Sequence, residues 1–78
     1  MSGLVLYLRA GCHLCREAEA ELARAGVAAS PVDIAGDPAL EAAYGVRIPV
    51  LADPAGGREL DWPFDGAAAA AFAAGAGG

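Results

Sequence analysis

Hydrophobic positions along the chain follow two different periods. Residues 4–8 (LVLYL) are continuously apolar, as expected for a strand that is covered on both faces of a sheet. Small and apolar residues then recur every three or four positions between residues 12 and 25, at Cys15, Ala18, Leu22 and Ala25. This second pattern predicts an amphipathic helix that ends at Gly26.

A shorter strand and helix are predicted next. Residues 30–34 (SPVDI) are partly β-branched and favour a strand. Asp37 and Pro38 then provide a helix N-cap and a proline at the first helical position, so a short helix should reach Tyr44 and stop at Gly45.

The last third of the chain predicts a hairpin and a final helix. Residues 48–53 and 57–62 flank a PAGG segment, whose glycines tolerate the positive φ of a tight turn. Pro49 should stand at the first residue of its strand or on an unpaired edge. Asp65 can cap the alanine-rich helix that follows, in which Phe72 is the only large apolar anchor.

The predicted order is β-α-β-α-β-β-α within one domain, residues 1–78. A right-handed crossover makes the first two strands parallel, and the hairpin adds an antiparallel edge. The expected architecture is therefore an α/β fold with a four-stranded mixed sheet flanked by helices.

Composition narrows the function classes. Apolar residues make up 56% of the chain, the net charge is −5, and all five basic residues are arginines. This charge argues against nucleic acid and anionic membranes as partners. The N-terminus lacks a basic leader and a small-residue cleavage site, and no apolar run approaches the ~18 residues of a membrane span. We expect a cytoplasmic monomer.

Cys12 and Cys15, the only cysteines, are the candidate chemistry. A disulfide between them closes too short a loop to stabilise the fold, and two residues three apart in a first helical turn can form and break one with little movement. Unpaired amides at a helix start favour a thiolate, and Cys12 lies nearest to them. Cys12 is therefore the expected nucleophile, and the more buried Cys15 is expected to resolve the mixed disulfide.

These residues resemble the glutaredoxins, within the thioredoxin-like fold, and particularly their short bacterial relatives. The similarity covers nearly the whole chain, through RAGCHLC, GVRIPVL and DWPFDG in the family order. It implies a small thiol-disulfide oxidoreductase with no bound cofactor, in which glutathione is one candidate reductant and the substrate is a disulfide-containing protein or a small thiol.

The resemblance also implies substrate-binding positions. The Ile48-Pro49 peptide bond should be cis and face the cysteines, so that the Ile48 backbone pairs with an extended peptide or glutathione. Arg9, three before Cys12, can stabilise the thiolate or meet a substrate carboxylate, and its alternative is a solvated loop residue. His13 tunes the site, and Asp65 either receives a glutathione ammonium or only caps its helix.

Two substitutions depart from the glutaredoxin pattern. Trp62 and Pro63 stand where the family usually has two glycines, which let glutathione approach the backbone closely. Arg47 replaces a common threonine and is either a second anion contact or a surface charge, with the latter favoured. We therefore expect weak glutathione-dependent activity and better exchange with protein disulfides, supplied with electrons by a thioredoxin-type reductant.

Two other function classes remain open at this stage. Cys12 and Cys15 can be ligands of a metal ion or an iron-sulfur cluster, although a closed site needs four ligands and hence two chains or glutathione. A non-catalytic interaction module that keeps the fold is the third class, and the intact cysteine pair argues against it. Turnover of a disulfide substrate separates the last class from an enzyme.

Overall fold

The computed structural model describes residues 3–75, and the order of their elements confirms the predicted one. The elements are β1 (Val5–Leu8), α1 (His13–Ala25), β2 (Ser30–Asp33), α2 (Pro38–Tyr44), β3 (Val50–Asp53), β4 (Arg58–Asp61) and α3 (Gly66–Ala74). The four strands form one mixed sheet in the order β2-β1-β3-β4.

The strands pair in the predicted directions, but the burial of β1 and β3 differs from the prediction. β1 pairs in parallel with β2 and antiparallel with β3, and β3 and β4 form the antiparallel hairpin. The hairpin places only β4 at the edge, so β3 becomes a central strand whose four residues are all buried. In β1, by contrast, Val5 and Tyr7 are only half-buried. β1 is apolar throughout but is not completely covered on the face that carries these two side chains.

The core lies on the sheet face that α1 and α3 cover. Its buried members are Leu4, Leu6, Ala18, Leu22, Leu51, Phe64 and Ala69. Cys15, Ala18 and Leu22 are the buried residues of α1, as the periodicity predicts. Burying a leucine-sized side chain contributes about 1.5–3 kcal/mol, so these few large residues supply much of the stability of a thin core.

The final helix packs differently from the expectation. Ala69 is its buried residue, whereas Phe72 is only half-buried. The Arg58 guanidinium lies over the Phe72 ring, 4.3 Å from its centroid, and donates to the Phe72 carbonyl at 2.8 Å. Phe72 therefore anchors the helix to β4 through a cation as well as through the core.

Both edges of the sheet are short. At one edge, the Ser30 N–H donates to the Leu4 carbonyl, just before β1, and the Ile34 N–H to the Leu8 carbonyl, each at 2.9 Å, so the backbone nitrogen of Pro31 faces outward. At the other edge, β4 consists of Arg58, Glu59, Leu60 and Asp61.

Within residues 3–75, the helices are all too short or too polar to cross a membrane.

Candidate active site

Cys12 lies in the turn between β1 and α1, as the N-cap residue of the helix. Gly11 has a φ of 80°, which permits the sharp change of direction that an L side chain would oppose. The Cys12 N–H donates to the Arg9 carbonyl at 3.3 Å, and the Cys12 Sγ accepts from the Cys15 N–H at 3.2 Å. The nucleophile candidate thus replaces the usual Ser, Thr or Asp cap with a sulfur atom.

The two cysteines differ in exposure. Both are free thiols, but Cys12 is half-buried and Cys15 is 2% exposed. Burial first, and then the hydrogen bond with Cys12, raise the pKa of Cys15 to about 11, while a hydrogen bond with the Arg9 backbone acts in the opposite sense. Only Cys12 is therefore placed to meet a substrate first.

The Ile48-Pro49 peptide bond is cis. Because Tyr7 pairs with Val50 in the antiparallel register, extending that register by one residue brings Pro49 opposite Leu8, at the end of β1 that leads to Cys12. Pro49 is almost fully buried and Ile48 is half-buried.

The Ile48 backbone is less available than the sequence suggests. Its N–H donates to the Tyr44 carbonyl at 3.1 Å, within the turn that follows α2. The expectation that both backbone groups of Ile48 pair with a substrate is therefore corrected for the N–H, which already closes the turn; for the carbonyl it stays a prediction.

Arg9 is not a free cation. Its guanidinium donates to the Glu41 carboxylate of α2, which lies 32 positions further along the chain. Both side chains are a little over one third exposed, at 38% and 39%. No local pattern in the sequence indicates this partner, since only the packing of α2 brings Glu41 to the strand-to-helix turn.

His13 and Leu14 are exposed beside the nucleophile. The His13 Nε2 lies 3.7 Å from Glu17 Oε2, one helical turn further along. This i,i+4 spacing was readable in the sequence, and it pairs His13 with a carboxylate when the ring is protonated. Leu14, at 37%, and Val46, fully exposed, are the large hydrophobic side chains that residues 3–75 expose. Val46 stands two positions before Ile48 and was missed by the sequence reasoning.

Asp65 performs the capping role. Its Oδ1 accepts from the Ala68 N–H at 2.8 Å, at the start of α3. Before it, the Trp62-Pro63 bond is a second cis peptide, and the Trp62 ring meets buried Phe64 edge to face at 5.1 Å. The two positions where glutaredoxins usually carry glycines therefore hold a packed indole and a proline ring.

Comparison with known proteins agrees with this geometry. A family model described as "Glutaredoxin-like domain (DUF836)" matches residues 3–72. The chain belongs to this glutaredoxin-like family.

Two solved structures are similar to it, both of the Northeast Structural Genomics target protein XcR50 from X. campestris. The X-ray structure is 54% identical, with a TM-score of 0.82 over 90% of this chain and 93% of that one. The solution structure is also 54% identical, with a TM-score of 0.79 over 90% of each chain. A search of curated proteins gave no match. The glutaredoxin-like chain therefore has a thioredoxin-like fold.

Arg47 of this glutaredoxin-like domain is a structural charge. It donates to Glu59 Oε1 at 2.6 Å and to Asp61 Oδ1 at 2.8 Å, both on β4. The Tyr44 hydroxyl donates to the other Glu59 oxygen at 2.6 Å, and the Tyr44 ring stacks on Tyr7 at 4.2 Å. These contacts fix the segment before Ile48 to the sheet, which supports the interpretation of Arg47 as a surface charge over that of an anion contact.

The same contacts alter ionisation on this face of the domain. The hydrogen bond to Glu59, with some burial, raises the pKa of Tyr44 to about 12. The bonds from Tyr44 and then from Arg47 lower the pKa of Glu59. Glu59 is therefore the negative centre that holds the two side chains together.

A metal site at this turn would need further ligands beside the two cysteines. Within the part of the glutaredoxin-like chain that the structure describes, no three His, Cys, Asp or Glu side chains are grouped so as to hold a metal ion. Cys12 and Cys15 thus have no third ligand of these types among residues 3–75.

Proposed function

We propose that this glutaredoxin-like protein is a small thiol-disulfide oxidoreductase that acts in the cytosol, with Cys12 as the nucleophile and Cys15 as the resolving thiol. The observation that carries the proposal is the hydrogen bond from the Cys15 N–H to the Cys12 Sγ at the start of α1. This bond fixes the half-buried Cys12 sulfur at the helix start, where it can meet a substrate disulfide as the attacking thiol.

The first step is attack by the Cys12 thiolate on one sulfur of a substrate disulfide. A new sulfur-sulfur bond joins Cys12 to the substrate as the substrate's own bond breaks, and the departing sulfur leaves as a thiolate that takes up a proton. The half-buried Cys12 can meet the substrate, whereas Cys15 cannot at this stage.

The second step is resolution within the same chain. Cys15 gives up its proton and attacks the Cys12 sulfur, so that a Cys12-Cys15 disulfide forms and the second substrate sulfur leaves. With a pKa of about 11, Cys15 stays protonated until that step, and the departing substrate thiolate is a suitable proton acceptor. The substrate gains two electrons, and an external dithiol or two glutathione molecules return them to the protein.

Substrate binding is assigned to the surface around the nucleophile. The Ile48 carbonyl beside Pro49 accepts from an extended peptide, and Leu14 and Val46 provide exposed apolar contacts. Arg9, His13 and Asp65 remain candidate contacts for charged groups of a substrate. The exposed apolar pair favours a protein disulfide over a small polar one.

Trapping with single-cysteine variants tests the assignment. Cys15→Ser is expected to accumulate mixed disulfides with a disulfide substrate, and Cys12→Ser to form none and to lose all turnover. The matched control is the double variant Cys12→Ser/Cys15→Ser, which measures background. Mixed disulfides through Cys15 in the Cys12→Ser protein, with none through Cys12 in its counterpart, would reverse the two roles; turnover in the double variant would end the proposal.

A further inference from the structure

The cation closest along the chain to the nucleophile is held by a carboxylate. Arg9 stands three positions before Cys12, and its carbonyl accepts the Cys12 N–H at 3.3 Å. Its guanidinium is bound by Glu41, which reaches over from α2. The Glu41 carboxylate therefore offsets part of the positive charge that Arg9 brings to this turn.

Two other basic side chains near the site, His13 and Arg47, are also paired. His13, when protonated, faces Glu17 at 3.7 Å. Arg47, one residue before Ile48, is bound by Glu59 and Asp61. With a net charge of −5 for the whole chain, the carboxylate of an anionic substrate must displace a protein carboxylate to pair with any of these three side chains.

We propose that Glu41 is a specificity-determining residue: by occupying Arg9 it disfavours disulfides that carry carboxylates and leaves neutral or cationic disulfides as the preferred substrates. The inference rests on the proposed oxidoreductase function and names its substrate class. It gives Glu41 a part in the weak glutathione-dependent activity that the sequence analysis expects from Trp62 and Pro63.

Alkylation of Cys12 by a charged and by a neutral reagent tests whether Glu41 masks the charge of Arg9, and it requires no turnover. In a Cys15→Ser background, the rates of reaction with iodoacetate, which is anionic, and iodoacetamide, which is neutral, are measured and divided. The same thiolate attacks the CH₂ carbon of either reagent and displaces iodide as a sulfur-carbon bond forms, so the ratio cancels any change in thiolate fraction. Glu41→Gln should raise the ratio about two- to fivefold, the range of a single exposed ion pair.

Two further variants make the probe specific. Asp37→Asn removes the same charge from the N-cap of the same helix while keeping a capping side chain, and it should leave the ratio unchanged. Adding Arg9→Gln to Glu41→Gln should cancel the increase. An unchanged ratio in Glu41→Gln, or an equal rise in Asp37→Asn or in the double variant, would overturn the masking by Glu41.

Turnover then tests specificity in the full chain with both cysteines present. Glutathione disulfide carries net negative charge and cystamine carries positive charge, and the ratio of their kcat/KM values should shift toward glutathione disulfide by about two- to fivefold in Glu41→Gln. A shift in the alkylation ratio without this shift would overturn the role in specificity. Absence of turnover with every disulfide in the unmodified protein would instead refute the oxidoreductase function, while the alkylation ratio still reports on Arg9 and Glu41.

Discussion

The backbone N–H of Gly66 donates a hydrogen bond to Glu21 Oε1 at 2.9 Å, which joins the first residue of α3 to the middle of α1. The Glu21 side chain is 24% exposed and also pairs with Arg24. A carboxylate at a helix start satisfies an otherwise unpaired amide and complements the positive end of the helix. Since the two helices meet largely through small residues, this bond fixes how α3 begins on the surface that α1 presents.

Removal of this carboxylate should destabilise the protein. Glu21→Ala is expected to lower the free energy of unfolding by about 1.5–3 kcal/mol, the usual range for a hydrogen bond to a charged group. Glu21→Gln keeps an acceptor oxygen and should cost less than half as much. Urea unfolding of both variants measures the difference; equal losses in the two would show that the acceptor oxygen does not matter.

Asp65 permits a separation of capping from substrate binding. Asp65→Ala should cost about 1 kcal/mol, because the Ala68 N–H loses its acceptor, while Asp65→Asn retains the cap. If Asp65 also binds a substrate ammonium, Asp65→Asn should raise the KM for glutathione adducts without lowering the unfolding temperature. Unchanged kinetics in the Asn variant would restrict Asp65 to the cap.

Alkylation against pH should distinguish the two thiols. Near neutral pH, iodoacetamide should modify Cys12 and spare Cys15, and labelling of Cys15 should increase only as the pH approaches about 11. Peptide mass spectrometry after timed labelling gives the two rates. Comparable labelling of both cysteines in the folded protein near neutral pH would contradict the assigned burial.

The same pKa implies a loss of stability in alkaline solution. The folded value of about 11 lies above the ordinary value of about 8.5 for a free cysteine. The contribution of the buried thiol is thus fully present below about pH 8.5 and is lost as the pH rises toward 11. Chemical denaturation across this range should show a smaller decline in Cys15→Ser than in the unmodified protein; identical declines would point to other groups.

The pKa of Tyr44 should depend on its hydrogen bond to Glu59. Its pKa of about 12 arises first from the hydrogen bond to Glu59, so Glu59→Gln should lower it toward the ordinary value of about 10. Phenolate absorbance against pH, measured in a Tyr7→Phe background, follows this one group. Asp61→Asn leaves the Tyr44 bond intact and should change the pKa far less; an equal change in both variants would indicate a general charge effect.

Much of the fold was predictable because local chemistry and global arrangement agree. Asp37 and Asp65 cap the helices that the sequence assigned to them, and the periodic face of α1 is the buried one. The central position of β3 was not predicted, because a run of four residues does not reveal which strand it will pair with. The second cis bond, at Trp62-Pro63, was also missed, since no local signal separates it from an ordinary turn.

The candidate site was predictable in its chemistry more than in its electrostatics. The spacing of Cys12 and Cys15 and the helix start beside them were visible in the sequence. The partner of Arg9 was not, because Glu41 is distant in sequence and approaches only when α2 packs. The engagement of the Ile48 N–H by Tyr44 was hidden for the same reason.

Both edge strands of the sheet, β2 and β4, have features that oppose pairing with a strand of another molecule. Pro31, at an outward-facing position of β2, has no N–H to donate to a neighbouring strand, and three of the four residues of β4 are charged. A row of unpaired backbone groups is otherwise a template for amyloid-like stacking or intermolecular sheets. The sheet therefore has two open edges, but a strand of another molecule would find few favourable positions for pairing at either of them.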